Sequence, residues 1–428
     1  MEFILGGDNL AGGLFGGGIG TELDPYLVED ANDLNAVRNN LAACYKQVAN
    51  IDLSIYPNWS PLGDIDVGPP FTGEFNGQRY LIDNLTISSN NQYLGLFGLT
   101  AGATIKKVVL NNANITGTSD HQITGILAAI VAYSVVEDSI TIGSINAGDG
   151  PAGGFVCTVS NDSTVSRCSS NVTVEGSNVA AFAAYVYGAV SDCYALGTVK
   201  GYTLEDFVGL GGMFYDIYSG SVIERCYAAT TFENYYEFAT LGGFAAHLYG
   251  GTVSGCYYDS ELSGQPDNGI GAPKTTAQMK QASTFVNWDF DEAWAIIQGS
   301  TYPFFSKDLV LTAPTLLTNK IKSANPLIKM LFPKIAGFIG GPLLHFRVEA
   351  FADEAMTTLL DDRTSDVVDS DHPAFEYSFN DATWFDVAPT GINPTQYGNF
   401  DMYVRARVHV GPRQQVYIRC GVGIDDAE

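Results

Sequence analysis

The sequence predicts an all-β chain: a right-handed β-solenoid with an N-terminal helical cap, followed by a C-terminal β-sandwich. Three observations predict it. A cysteine-centred pattern recurs through the middle of the chain, residues within each recurrence alternate with a period of two, and glycine-rich corners separate the alternating runs.

The recurrence is plainest at "TVSRCSSNVTVEG", "AVSDCYALGTVKG", "SVIERCYAATTF" and "GTVSGCYYDS". A three-residue anchor precedes each cysteine: "GGF" (153–155), "AAF" (180–182), "GGM" (211–213) and "GGF" (242–244). The third anchor residue lies 13, 11, 13 and 12 residues ahead of Cys168, Cys193, Cys226 and Cys256. Two looser units begin at "GLFG" (95–98), where Val108 takes the cysteine position, and at "GILAAIV" (125–131). Six units thus run from about Gly95 to Asp259.

After Cys168, residues Ser170, Val172 and Val174 share one face, and Ser169, Asn171, Thr173 and Glu175 the other. Small apolar on one side and polar on the other is a half-buried strand. Val165 and Cys168 are an odd number of residues apart, so a straight strand cannot bury both, and a corner must lie between them. Units of this length cannot bury a face alone but can stack as coils of a solenoid. The four cysteines then form an inward structural ladder of small, polarisable side chains. Zinc would need closely paired cysteines. Disulfides between neighbouring coils stay open on Cα spacing alone.

The remaining segments frame that core. Residues 1–20 read as a glycine-rich arm and 21–90 as the start of the solenoid. Within 30–48, Leu34, Val37, Leu41, Cys44 and Val48 recur at helical spacing after a cap at Asn32 or Asp33, which predicts a helix over the open end. Repeats occupy 91–262, and a short helix with an aromatic plug closes the other end over 263–308. Residues 309–346 are apolar and basic and read as a partly helical linker or docking segment, with Lys320, Lys322, Lys329 and Lys334 as candidate docking residues. Alternating runs over 347–428 predict the sandwich.

With 47 acidic against 21 basic side chains, the net charge is −26. That excess repels phosphate backbones and argues against a nucleic-acid partner. No uncharged apolar run is long enough to span a bilayer, and the opening "MEFILGGDNL" has no basic region of a secretory leader. The expectation is a soluble chain made in the cytoplasm.

"WSPLGD…FTGEFNGQRYLIDNLTI" (59–87), then "GLFG", then the repeated Gly-Gly-Phe and Cys-Tyr units, resemble the GLUG-motif repeats over about 21–305. Repeats of that family occur in bacterial surface adhesins, beside the peptidase of some immunoglobulin-A proteases, and in bacteriophage structural proteins. No H-E-x-x-H occurs, so the peptidase does not carry over. Without leader or wall anchor, the chain looks most like the phage version. The resemblance implies a non-enzymatic virion appendage, part of a tail, baseplate or capsid, that contacts other virion proteins and host surface carbohydrate or protein. A bacterial cell-surface adhesin is the alternative, and a polysaccharide-degrading tailspike the third reading.

Candidate chemistry is sparse. His121, His247, His345, His372 and His409 show no ligand spacing and read as structural. Asp216, Glu224, Glu233 and Glu237, placed on neighbouring coils, are the carboxylates that a glycosidase would need. No catalytic residue, cofactor or metal is assigned. The seven acids of 353–372 make calcium conceivable, but that stretch lacks a glycine turn and reads as a solvated loop. Following the cysteines, Tyr194, Tyr227 and Tyr257 predict an exposed aromatic strip, with Tyr218, Tyr235, Tyr236 and Tyr249 on nearby loops, suited to glycan or protein contact. The bland alternative is that they stack on each other or under a loop. A homo-oligomer is possible, though no coiled-coil heptads are present.

Overall fold

The computed structural model describes residues 15–64, 68–119, 121–201, 209–233 and 239–290, then short segments up to 305 and seven strands between 315 and 424. The chain divides into two units, Met1–Met279 with Ser283–Trp288, and Lys280–Ala282 with Asp289–Glu428.

The first unit is a β-solenoid of six four-stranded coils. One coil comprises Pro151–Gly153, Val156–Val159, Thr164–Ser166 and Ser169–Gly176. Each strand pairs in parallel with its equivalent one coil on, so that Val165, Val190, Ile223 and Val253 form one column. Four parallel sheets result. The six coils run from Tyr93 to Asp259, as the repeat predicts.

The core is a stack of columns. Phe155, Phe182, Phe214 and Phe244, the anchor residues and their neighbour, are fully buried. Phe155 and Phe182 lie 4.9 Å apart and nearly parallel, while Phe182–Phe214 and Phe214–Phe244 are edge-on at 6.0 and 5.5 Å. Each such ring contributes about 1.5–3 kcal/mol by leaving water.

The predicted corner before each cysteine exists and has a definite backbone. Lys107, Asp138, Arg167, Asp192 and Arg225 occupy it with φ of 55°, 53°, 51°, 52° and 51°, and Gly255 occupies it on the last coil with φ 59°. Along the axis the signs alternate. Arg167 Nε and Nη2 reach back to Asp138 at 2.9 and 3.1 Å, and Arg225 does the same to Asp192 at 2.7 and 2.8 Å. Opposite charges one rung apart favour the in-register stack.

Cys168, Cys193, Cys226 and Cys256 are buried and free. Each thiol donates to the carbonyl two residues before it, at 3.2, 3.1, 3.2 and 3.3 Å. On the second coil Ser139 takes that place and donates to Glu137 O at 2.9 Å. The column is therefore a set of hydrogen-bonded corner clips as well as apolar filling.

Both ends correct the sequence expectation. The N-terminal helix spans only Ala31–Ala36, capped by the Asp30 carboxylate on the N–H groups of Asn32 and Asp33. A 3-10 turn follows, and Cys44–Gln47 is a strand paired with Tyr26–Val28 and Glu74–Asn76. The helix still buries Leu34, and the 3-10 turn buries Val37, in the solenoid core. The end of the glycine arm pairs too: Gly16 N–H donates to Leu27 O at 3.0 Å and Leu27 N–H to Gly17 O at 2.9 Å. At the other end Ala272–Lys274 adds a last rung to the fourth-strand sheet. Phe285 and Trp288 then fold back against Tyr257, and the Trp288 indole donates to Gly255 O at 2.9 Å.

The second unit is antiparallel. One sheet orders Thr315–Asn319, Leu327–Phe332, Met402–Arg407 and Phe375–Ser378, and another orders Leu359–Thr364, Leu344–Phe351 and Tyr417–Ile424. The segment expected to be a partly helical linker thus supplies two strands. Leu327–Phe332 is a six-residue run, apolar except for Lys329, between Pro326 and Pro333, long enough for a strand and too short for a stable helix. Likewise the acidic stretch is not wholly a loop, since Leu359–Thr364 runs through it as a strand.

Candidate binding surface

The tyrosines after the cysteines do not form an exposed strip. Tyr194, Tyr227 and Tyr257 are 1%, 1% and 8% exposed. Tyr194 and Tyr227 stack in parallel at 5.2 Å, and Phe285 and Trp288 lie within 6.2 Å of the Tyr227 ring. An aromatic row one rung apart gains more by stacking and by cover from the cap than by standing in water. The alternative of mutual stacking under other chain holds for these three.

The exposed aromatics stand instead at the end of the second strand. Tyr185, Asp216 and His247 are register equivalents, as are Val186, Ile217 and Leu248. One residue further, Tyr187, Tyr218 and Tyr249 stack along the axis, with centroids 4.4 and 5.4 Å apart and interplanar angles of 7° and 25°. Tyr187 and Tyr218 are half-buried, and Tyr249 is 60% exposed. Tyr185 and Tyr215 pack edge-on at 5.8 Å, and His247 lies at 5.5 Å from Tyr215 and 5.6 Å from Tyr249.

Asp216 organises this ledge. Its carboxylate is 4% exposed and accepts the Tyr218 hydroxyl at 2.9 Å, while the other oxygen lies 2.9 Å from His247 Nδ1. Burial and the bond to Asp216 push the Tyr218 hydroxyl above its ordinary range. Burial raises Tyr185 as well, and burial with the nearby Asp216 charge pushes Tyr215 up to about 12. Tyr185, Tyr215 and Tyr218 are therefore neutral phenols at physiological pH. The ledge's rings stack on one another, Tyr249 on His247 as well as on Tyr218, and Tyr249 is the ring of the column most open to a ligand. Such an arrangement can bind by hydrogen bonds and apolar contact.

The three described carboxylates of the predicted set lie on different faces of the coil. Asp216, Glu224 and Glu233 share one coil but sit on its second, third and fourth strands, in three different sheets. Each has a partner: His247, Arg225 at 2.9 Å and Lys200 at 2.7 Å. Glu237 lies outside the described residues, as do Tyr235 and Tyr236. Of the docking lysines, Lys329 lies in the strand Leu327–Phe332, and Lys320, Lys322 and Lys334 lie outside the described residues. Among the described residues no group of three or more His, Cys, Asp or Glu side chains is placed to hold a metal.

Sequence reasoning had Tyr218 and Tyr249 but missed Tyr185, Tyr187, Tyr215 and the role of His247. A signal was present. Tyr187, Tyr218 and Tyr249 each stand five residues after the third anchor residue, Phe182, Met213 and Phe244.

No protein-family model matches the chain. It is 28% identical over 409 aligned positions to a protein of Evansella cellulosilytica named as a Gly-rich membrane protein, covering 70% of this chain and 46% of that one. It is 31% identical over 158 residues to the halomucin of Haloquadratum walsbyi, covering 33% of this chain and 2% of the relative. The chain thus spans less than half the length of these curated relatives. Among solved structures, an IgA1 protease aligns with a TM-score of 0.44 at 17% identity, over 58% of this chain and 21% of that one. No helix among the described residues is long and apolar enough to cross a membrane.

Proposed function

We propose that this chain is a non-enzymatic structural and binding protein of an outer surface, whose solenoid presents the Tyr187–Tyr218–Tyr249 ledge to glycan or protein. The observation that carries this reading is an aromatic column with an exposed terminal ring, built on a scaffold of in-register parallel sheets. A rigid scaffold holds the ring edges in fixed positions, so little ordering entropy is lost on binding. The printed names of both sequence relatives, a membrane protein and a halomucin, support a cell surface as the setting. Attachment to a virus particle, which the repeat resemblance implies, is the competing setting.

Two measurements test the reading. The double variant Tyr218→Ala with Tyr249→Ala should lower binding to a glycan array or to whole cells at least tenfold, with the solenoid's circular dichroism unchanged. Equal binding by variant and parent refutes the ledge. Mass spectrometry of the source culture, split into envelope, purified viral particles and soluble protein, decides the setting. Abundance in the envelope supports a cell-surface protein, and a fixed copy number per particle establishes the virion component instead.

A further inference from the structure

The sixth coil differs from the other five in charge. The first coil carries Lys106 and Lys107, the second Glu137 and Asp138, the third Asp162, Arg167 and Glu175, the fourth Asp192 and Lys200, and the fifth Asp216, Glu224, Arg225 and Glu233. From Thr240 to Tyr258 the sixth has no Asp, Glu, Lys or Arg, and its one acid, Asp259, is fully buried as the cap of the helix Ser260–Ser263.

This coil is also an open end. Its fourth strand is covered by Ala272–Lys274, and Asn268 Nδ2 donates to Ala245 O at 2.9 Å. Its second and third strands, Ala245–Leu248 and Thr252–Ser254, have no following rung among the described residues. On inner coils Val159 O, Val186 O and Ile217 O each accept the N–H of the next coil's tyrosine, Tyr187, Tyr218 or Tyr249. Leu248 O stands at the equivalent place with no coil beyond it among the described residues. The core is bared there as well. Leu248 is 40% exposed, whereas Val131, Val159, Val186 and Ile217 in the same column are all at 0%. Val253 and Leu241 are half-buried, where Ile223 and Leu210 are fully buried.

Exposed strand edges are ordinarily protected by charged side chains, Lys above all, or by Pro, and this edge has neither. We infer that the open edge of the sixth coil, centred on Leu248 and the strand Thr252–Ser254, pairs with the same edge of a second copy about a two-fold axis. Charge selects the occupant. A chain of net charge −26 repels its own copies, and the approach is tolerated where acidic side chains are absent. An edge without charge of either sign has nothing to select a basic or acidic partner, while its unpaired backbone groups and bared core residues match their own kind. A two-fold axis runs the paired strands antiparallel and closes the assembly at two copies. Homo-oligomerisation, left open by the sequence, thus acquires a place in the fold.

The test is sedimentation equilibrium of the full chain, with light scattering as a second reading. Parent protein should show twice the 45.8 kDa chain mass at micromolar concentration. Leu248→Lys and, separately, Thr252→Lys should return it to one chain mass, with an unchanged far-ultraviolet spectrum. Val222→Lys, also on an exposed residue but one coil inward, should leave the dimer intact. A monomeric parent, a dimer that survives both edge variants, or a series of higher oligomers overturns the inference. Tyr249 adjoins Leu248, so the ledge is tested in the Thr252→Lys background as well as in the parent: loss of binding with Tyr218→Ala and Tyr249→Ala in that single-chain background reads the ledge alone, and the chain mass reads the edge alone.

Discussion

The corner before each cysteine sets two physical effects against each other, and substitutions at Arg225 separate them. Arg225 holds φ 51°, in the left-handed region. A side chain there costs about 1–2 kcal/mol relative to glycine, offset by the roughly 0.5–1 kcal/mol of extra chain entropy glycine loses on folding. Glycine should therefore gain about 0.5–1 kcal/mol at this backbone. Against that stands the two-pronged pair with Asp192, at 2.7 and 2.8 Å, with the Arg225 and Asp192 side chains 32% and 18% exposed. A half-exposed pair contributes at most about 1 kcal/mol. Arg225→Ala loses the pair and keeps the backbone cost, so it should fall about 1 kcal/mol below the parent. Arg225→Gly loses the same pair but is relieved of the strain, and should lie within about 0.5 kcal/mol of the parent. Urea denaturation, which leaves ion pairs unscreened, measures both. In 1 M salt, where the screening length shrinks to about 3 Å, Arg225→Gly should equal or exceed the parent. Gly255 provides the control at the same corner. It has φ 59° and its nearest neighbour to an added Cβ is 3.7 Å away, so Gly255→Ala should lose about 0.5–1 kcal/mol through the backbone alone. An Arg225→Ala variant as stable as Arg225→Gly would refute the left-handed corner.

Two further outcomes follow from burial. Burial pushes the Cys157 thiol up to about 12 and raises Cys193 and Cys256 well above the ordinary thiol range. Cys157, Cys168, Cys193, Cys226 and Cys256 are all buried, so iodoacetamide at pH 8 should leave them unlabelled until urea unfolds the solenoid, as peptide mass mapping would show; rapid native labelling would place the column at the surface. The buried tyrosines set the alkaline limit. Tyr45, Tyr185, Tyr215 and Tyr218 are raised, chiefly by burial, with Tyr215 at about 12. The unfolded chain releases these protons near pH 10 while the folded chain retains them, so the stabilisation is full below pH ~10 and is lost above it. Urea midpoints should be flat from pH 7 to 9 and fall steeply between 10 and 12, and a flat profile to pH 12 would contradict the burial of these rings.

What was legible in the sequence was whatever repeats. The column position Val108, Ser139, Cys168, Cys193, Cys226 and Cys256 sits in equivalent corners, because stacking gives each coil the same local problem and periodicity reports the shared solution. The odd spacing of Val165 and Cys168 was enough to place the corner, and only its left-handed backbone needed coordinates. The ends were not legible, because no neighbouring coil constrains them. Leu34, Val37, Leu41, Cys44 and Val48 satisfy a helix template, yet Tyr45 and Gln47 alternate as a strand template requires and are buried at 1% and 0%. Short apolar stretches satisfy both templates, and pairing with Tyr26–Val28 and Glu74–Asn76 decides between them.

The candidate site shows the same division at the level of single side chains. Alternation correctly sets Tyr194, Tyr227 and Tyr257 apart from the cysteine column, but off the column does not mean exposed. Exposure depends on what the rest of the chain lays over the sheet, and Phe285 and Trp288 are about sixty residues beyond Tyr227 in sequence. Tyr187, Tyr218 and Tyr249 were not legible as one column, although Tyr218 and Tyr249 were singled out on nearby loops. They lie just past a strand end, where period two no longer applies, and only their fixed offset from the anchors ties them together. In a solenoid, therefore, register with an anchor is the better guide to which side chains share a surface, and alternation the better guide to which share the core. Leu248 joins the two guides: its register makes it core, its position on the last coil leaves it bare, and that conflict is what a second copy at the sixth coil would resolve.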